Sequence, residues 1–164
     1  MTLAPLLDAT PAIQIHALAA IMAFLLGAAI LWQRKGTRLH RWLGRVWVAL
    51  MLVTATSALF INEIRLIGPF SPIHLFVLFT YLGIGQGLYS IIVHRDIARH
   101  RAEMQGVYLG ALILAGAFTL LPGRRLHAVL FGADAGWLPS VLVIVPLLLA
   151  AWSVWRRMGR ARAA

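Results

Sequence analysis

The chain has 164 residues, of which 61% are hydrophobic and 12% charged, and its net charge is +10. Soluble domains carry about 25% charged residues, so the composition indicates a membrane protein rather than a water-soluble one. The chain has no cysteine, which excludes disulfides, thiolate iron–sulfur centres and cysteine nucleophiles.

Five apolar segments are each about as long as the roughly 20 residues that cross a bilayer. In chain order they run from about 12 to 33, 39 to 61, 71 to 93, 96 to 121 and 138 to 155. Ser71 and Pro72 are predicted to start the third helix, and Asp96 is predicted to cap the fourth. The sequence thus predicts a single all-α transmembrane domain over 1–164: a four-helix up-down bundle with a fifth, supporting helix. The segment from Pro122 to Trp137 is predicted to hold a short interfacial helix.

The distribution of basic residues predicts the orientation. Twelve of the fifteen Lys and Arg residues lie in the first and third loops and the carboxyl-terminal tail, and three lie on the other side. Loops rich in Lys and Arg stay cytoplasmic, so the amino end is predicted outside and the carboxyl end inside, in a bacterial inner membrane. The same distribution argues against a nucleic-acid partner and for the lipid bilayer as the main partner.

Histidines give the strongest functional pattern. His16 and His74 lie near the outer ends of the first and third helices, and His40 and His100 lie near the inner ends of the second and fourth. Alternate helices are diagonal neighbours in an up-down bundle, and two facing imidazoles can bind haem iron from both axial sides. Arg38 and Arg41 beside His40 are candidate partners of haem propionates.

Simpler interpretations exist for each element of this pattern. A histidine at a helix end often only contacts the membrane interface, which is how we interpret His94 and His127. The small residues on the His16 face and on the third and fourth helices could give room for a cofactor or could allow close helix packing. His94, Asp96, His100 and Glu103 could form a cytoplasmic metal site. Mid-membrane polar groups could contact a quinone or one another: Gln86, Thr54, Thr56, Ser57, Tyr81 and Tyr108.

Several stretches resemble a bacterial family of predicted membrane proteins, domain of unknown function 2306. They are GTRLHRWLGRVWVALMLVTATSALFI, FSPIHLF, DIARHRAEM and LPGRRL, and the resemblance covers roughly His16 to Leu126. It implies a multi-span membrane protein and leaves the activity open.

A more distant similarity is to the ascorbate-reducible transmembrane dihaem cytochromes b. IHALAAIMAFLLGAAIL is similar to their first ligand helix, with Ala17 in place of a proline, and SPIHLF is similar to their Ser-x-His-Ser-Trp helix, with Leu75 and Phe76 in place of Ser-Trp. The resemblance implies that His16 pairs with His74 and His40 with His100.

The sequence is therefore compatible with three functions. The first is a membrane-embedded b-type haem protein that carries electrons across or within the bilayer. Its redox partner could be a quinone or another protein, and whether it is a transmembrane oxidoreductase stays undecided. The second is a non-catalytic membrane subunit or assembly factor, alone or as an oligomer. The third is a transporter of small solutes or metals, which the absence of charged residues inside the apolar segments makes the weakest.

Overall fold

The computed structural model describes residues 2–61 and 74–163, with side chains described at all of these except 154 and 157–163. The predicted start of the third helix at Ser71 and Pro72 lies outside the described residues. The described residues form seven helices and no strand, which confirms the all-helical fold. These helices are α1 (Ala4–Leu7), α2 (Pro11–Trp32), α3 (Arg38–Ala58), α4 (Leu75–Ile92), α5 (Ile97–Thr119), α6 (Arg125–Phe131) and α7 (Trp137–Ala163).

Three of the helices in the described ranges are long and apolar enough to cross a membrane: α2, α4 and α5. Helix α3 has a lower hydropathy because its first two turns contain three charged residues, Arg38, Arg41 and Arg45. Its apolar part follows them. The apolar part of α7, Trp137–Ser153, is shorter. The chain is therefore a membrane protein with several candidate spans.

Local signals explain where the long helices begin. Pro11 occupies the first turn of α2, where its missing N–H costs no hydrogen bond. The Thr37 hydroxyl accepts from the backbone N–H of His40 at 3.1 Å and caps α3. The Asp96 carboxylate accepts from the backbone N–H of Arg99 at 2.9 Å, which confirms the predicted cap of α5. These caps place His40 and His100 in the opening turns of their helices.

The contacts of the chain group it into two units. One unit is Thr10–Leu112, which holds α2, α3, α4 and most of α5; the other is Met1–Ala9 together with Ile113–Ala164. In the first unit α2 packs against α3, α3 against α4, and α4 against α5. Tyr108 of α5 stacks on Phe24 of α2 and donates its hydroxyl to the Phe24 carbonyl at 3.2 Å. Each of these four helices thus contacts two of the others.

The second unit is held by contacts among its own short elements. Helix α1 packs on α6, and an Arg125 guanidinium N–H donates to the Pro5 carbonyl at 3.0 Å. The Ser140 hydroxyl of α7 donates to the Leu120 carbonyl at 2.5 Å. Helix α6 lies in the segment where a short helix was predicted.

Glycine and alanine allow the helices of the first unit to approach closely. A methyl group at Gly27 would lie 2.5 Å from the Tyr108 ring and 2.7 Å from the Trp47 indole nitrogen. The space beside Gly83 of α4 is likewise filled by the Val107 side chain of α5, and the space beside Gly87 by the Met104 side chain. At these positions the small residues serve close helix packing. The interpretation that they leave room for a cofactor is therefore wrong at Gly27, Gly83 and Gly87.

Candidate functional site

His16 lies between α2 and α3, where its ring is oriented by the carboxyl-terminal turn of α3. Its Nδ1–H donates to the Thr54 carbonyl at 2.9 Å and approaches the Ser57 hydroxyl at 3.3 Å. A carbonyl can only accept, so the proton of this ring must be on Nδ1. In the neutral imidazole the remaining lone pair is then on Nε2.

His100 repeats this arrangement near the opposite end of the same four helices. Its Nδ1–H donates to the Gly87 carbonyl of α4 at 2.8 Å, and the ring is half-buried. The same argument places the lone pair on Nε2. Histidines that bind metals commonly donate their other ring N–H to a backbone carbonyl, which fixes the ring and makes the ligating nitrogen more basic.

His40 lies within range of the charge of His100 and of Lys35. Its Nδ1 is buried and has no hydrogen-bond partner in the described part of the chain. The amide nitrogen of Gln33, where α2 ends, is likewise buried and unpaired there. Since buried polar groups in folded proteins are nearly always paired, each of these two atoms is open to a further polar partner.

His74 occupies the turn before α4 and is half-buried. Its pairing with His16 stays a prediction. Arg38 and Arg41 are exposed in the first turn of α3, on either side of His40, and their contact with propionates also stays a prediction.

The remaining histidines have separate environments. His94 is exposed and meets Tyr89 edge-on, with ring centres 5.0 Å apart, as expected of an interface residue. His127 is only 1% exposed; its Nε2–H donates to the Gly136 carbonyl at 3.4 Å. The interpretation of His127 as an interface residue is therefore wrong, because its ring is buried.

The alternative metal site built on His94, Asp96, His100 and Glu103 gains no support. Among the described residues, no group of three or more histidine or carboxylate side chains is close enough to hold a metal ion. The Asp96 carboxylate accepts from the backbone N–H of Arg99 and caps α5, so one member of the predicted set already has another role.

Trp47 is a structural residue that the sequence reasoning did not select, and Tyr108 was selected only as one of the mid-membrane polar groups. They fill the core between the level of His16 and that of His40 and His100, with the Trp47 indole N–H donating to the Ala23 carbonyl at 3.0 Å. An indole or phenol group inside an apolar run needs a hydrogen-bond partner, and this need was the available signal.

Comparison with known proteins gives the family of the chain. The sequence profile of the family described as "Predicted membrane protein (DUF2306)" matches residues 13–155. No curated protein and no solved structure matches the chain. The match spans most of the sequence and includes all four of the histidines discussed as candidate ligands. The chain therefore belongs to the DUF2306 family of predicted membrane proteins.

Proposed function

We propose that this protein is a b-type haem protein of the membrane that carries electrons across or within the bilayer. The observation that carries the proposal is the pair of Nδ1–H to carbonyl bonds at His16 and His100. Each bond leaves Nε2 with its lone pair available, as a haem ligand requires.

The contacts between helices support a four-helix up-down bundle. Helix α2 contacts α3 and α5, and α4 contacts the same two helices. In an up-down bundle with these contacts, α2 and α4 would be diagonal, as would α3 and α5. His16 and His74 belong to one diagonal pair, and His40 and His100 to the other. Bis-histidine ligation from alternate helices uses these two pairs.

The inner pair has the stronger support in the residues present. His40 and His100 are near enough for their charges to interact, and the His40 Nδ1 atom is buried without a partner. A methyl group at Gly44, one turn after His40, would meet no atom within 4 Å. These features fit a bulky group bound by two imidazoles at this end of the bundle.

Bound haem iron would supply reversible one-electron oxidation and reduction. The chain holds the imidazoles in one tautomer through the Thr54 and Gly87 carbonyls, and the packed core around Trp47 and Tyr108 excludes water between the two levels. Arg38 and Arg41 would supply positive charge for carboxylates at the inner surface. Quinone is a candidate redox partner because it is an apolar molecule that dissolves in the interior of the bilayer.

The proposal includes five spans, with α3 and α7 added to the three long apolar helices, in a bacterial inner membrane. Twelve of fifteen basic residues fall on one side in this arrangement, which puts the amino end outside and the carboxyl end inside. Helix α7 is then the fifth, supporting span.

The test is an absorption spectrum of the detergent-purified protein, expressed in haem-supplemented cells, before and after reduction with dithionite. We expect the bands of low-spin bis-histidine haem, and His100→Ala and His40→Ala should each remove or shift the inner component. His16→Ala and His74→Ala should do the same for an outer component. His94→Ala is the matched control, because His94 is exposed and its ring makes an edge-to-face contact with the Tyr89 ring. A folded, haem-free native protein would overturn the proposal.

A non-catalytic membrane subunit is the second candidate function. The exposed Gln86 amide within the apolar helix α4 favours it, because an amide in hydrocarbon needs a polar group on another helix. Wild-type cellular function in all four histidine variants, together with copurification of a defined complex, would favour this candidate over electron transfer.

A further inference from the structure

Helix α4 has two faces with opposite exposure. Val77, Thr80, Ile84 and Gly87 are buried against the rest of the first unit. The outward face is formed by residues whose spacing alternates between four and three, which is the heptad spacing of interacting helices. We call it the α4 seam; its members are all exposed and are Leu75, Phe79, Leu82, Gln86, Tyr89 and Val93. The Phe79 ring also packs against Gly110 of α5.

Gln86 is the polar residue at the centre of this seam. Its amide is exposed in the middle of an 18-residue apolar helix, and it makes no hydrogen bond within the described part of the chain. In hydrocarbon an unpaired amide is costly, because no water is present to bond it. An amide in this position therefore calls for a partner outside the chain.

Two other exposed polar groups on α3 and α4 have partners within the chain. The hydroxyls of Thr56 on α3 and Tyr81 on α4 share a hydrogen bond of 2.7 Å, and the Thr56 hydroxyl also bonds to the Leu52 carbonyl at 2.7 Å. Gln86 departs from this behaviour although it lies only five residues from Tyr81.

We infer that the α4 seam binds the α4 seam of a second copy of this chain. A primary amide has both donors and an acceptor, so two Gln86 side chains can satisfy each other across a two-fold axis. Copies inserted in a membrane share one orientation, so their α4 helices run parallel and like positions meet. One polar residue within an otherwise apolar heptad seam also fixes the register of such a pair.

Cysteine cross-linking in membranes tests the seam directly, because the native chain has no cysteine and each variant would hold a single thiol. Leu82→Cys and Tyr89→Cys lie on the seam on either side of Gln86. Leu25→Cys on α2 is the control, since Leu25 is 62% exposed and Leu82 is 53% exposed. We expect a disulfide-linked dimer from both seam variants under copper–phenanthroline and little from the control. Equal cross-linking of all three, or none at the seam, would overturn the inference.

Substitution of the amide tests its role in the dimer. Gln86→Leu should weaken dimerisation about 3- to 30-fold, the range typical of one interhelical hydrogen bond in a bilayer, and Gln86→Asn should retain most of it. Förster transfer between labelled copies in lipid vesicles measures the dimer fraction. Unchanged dimerisation in Gln86→Leu, or a cross-link from the seam to a different protein or to a quinone analogue in place of a second copy, would contradict the inference. These outcomes do not depend on haem.

Discussion

Lys35, the single lysine of the chain, lies against the carboxyl end of α2. Its ammonium donates to the carbonyls of Ile30, Leu31 and Gln33 at 3.0, 2.6 and 2.8 Å. These carbonyls have no partner within the helix, and a cation there also interacts favourably with the helix dipole. Partial burial lowers the pKa of Lys35 below its usual value of 10.5, and the positive charge of Arg101 lowers it further.

The pKa of Lys35 offers a test of how the first and third loops are arranged. We expect the pH midpoint of Lys35 acetylation to lie below 10.5, because burial and Arg101 both disfavour the ammonium. Arg101→Ala should raise the midpoint towards 10.5, since it removes one of the two causes. Mass spectrometry of acetylation rate against pH measures this, and Arg34→Ala is a control for a general loss of charge. An unchanged midpoint in Arg101→Ala would show that the loops are not adjacent.

Individual residue roles could be predicted from the sequence where the signal is local. The cap at Asp96 follows from its position before an apolar segment, and His40 and His100 were selected by their matched depth. The tautomer of His100 could not be predicted, because the Gly87 carbonyl reaches it across thirteen residues of chain and only the packing of α4 on α5 brings the two together. The burial of His127 also depends on tertiary contacts.

At the level of helices, two glycines distinguish tight from open packing. Gly27→Ala should lower the free energy of unfolding by about 1–3 kcal/mol, because the added methyl group would overlap the Tyr108 and Trp47 rings. Gly44→Ala should leave the free energy of unfolding unchanged or raise it by up to about 1 kcal/mol. Alanine favours the helix more than glycine does, and the added methyl group would meet no neighbouring side chain or helix within 4 Å.

Unfolding of both variants in mixed detergent micelles would measure these changes. Equal stability of the two would contradict the close contact of α2 with α3 and α5. If haem binds beside Gly44, the haem content of Gly44→Ala should be checked in the same preparation.

Helix α5 shows where sequence periodicity cannot predict structure. Residues Tyr108–Leu114 form a π-helical segment inside an otherwise α-helical element. The buried positions change to a spacing of five there, as in Tyr108 to Ile113 and Leu112 to Ala117. A search for a 3.6-residue period finds a continuous apolar helix over this stretch and gives no indication of the wider turn.

For the whole molecule, the class and the long helices follow from composition and hydropathy, because length and apolarity alone are needed to cross a bilayer. The four helix–helix contacts of the first unit depend on particular glycine and alanine residues. In the sequence these residues look the same whether they allow close helix packing or make room for a cofactor. The sequence could therefore predict the histidine pairs as a hypothesis but could not decide between the two uses of glycine.

Reporter fusions can test the orientation of the whole chain in the membrane. A green fluorescent protein fused to the carboxyl end should fluoresce and an alkaline phosphatase fused there should be inactive, because the basic tail and loops are expected to stay in the cytoplasm. A phosphatase fused after Gly123 should be active. The reverse pattern of the three reporters would contradict the assigned topology and would move His40 and His100 to the outer surface.

The π-helical segment has a consequence for how this chain tolerates changes in length. A seven-residue π segment is what a single inserted residue produces within an α-helix, and the extra residue is held by a wider turn rather than a loop. Removing one residue between Tyr108 and Leu114 would let the backbone close into regular α-helix with both flanking turns kept in place. Natural single-residue deletions in related chains should therefore be found in this stretch more often than elsewhere in the long helices.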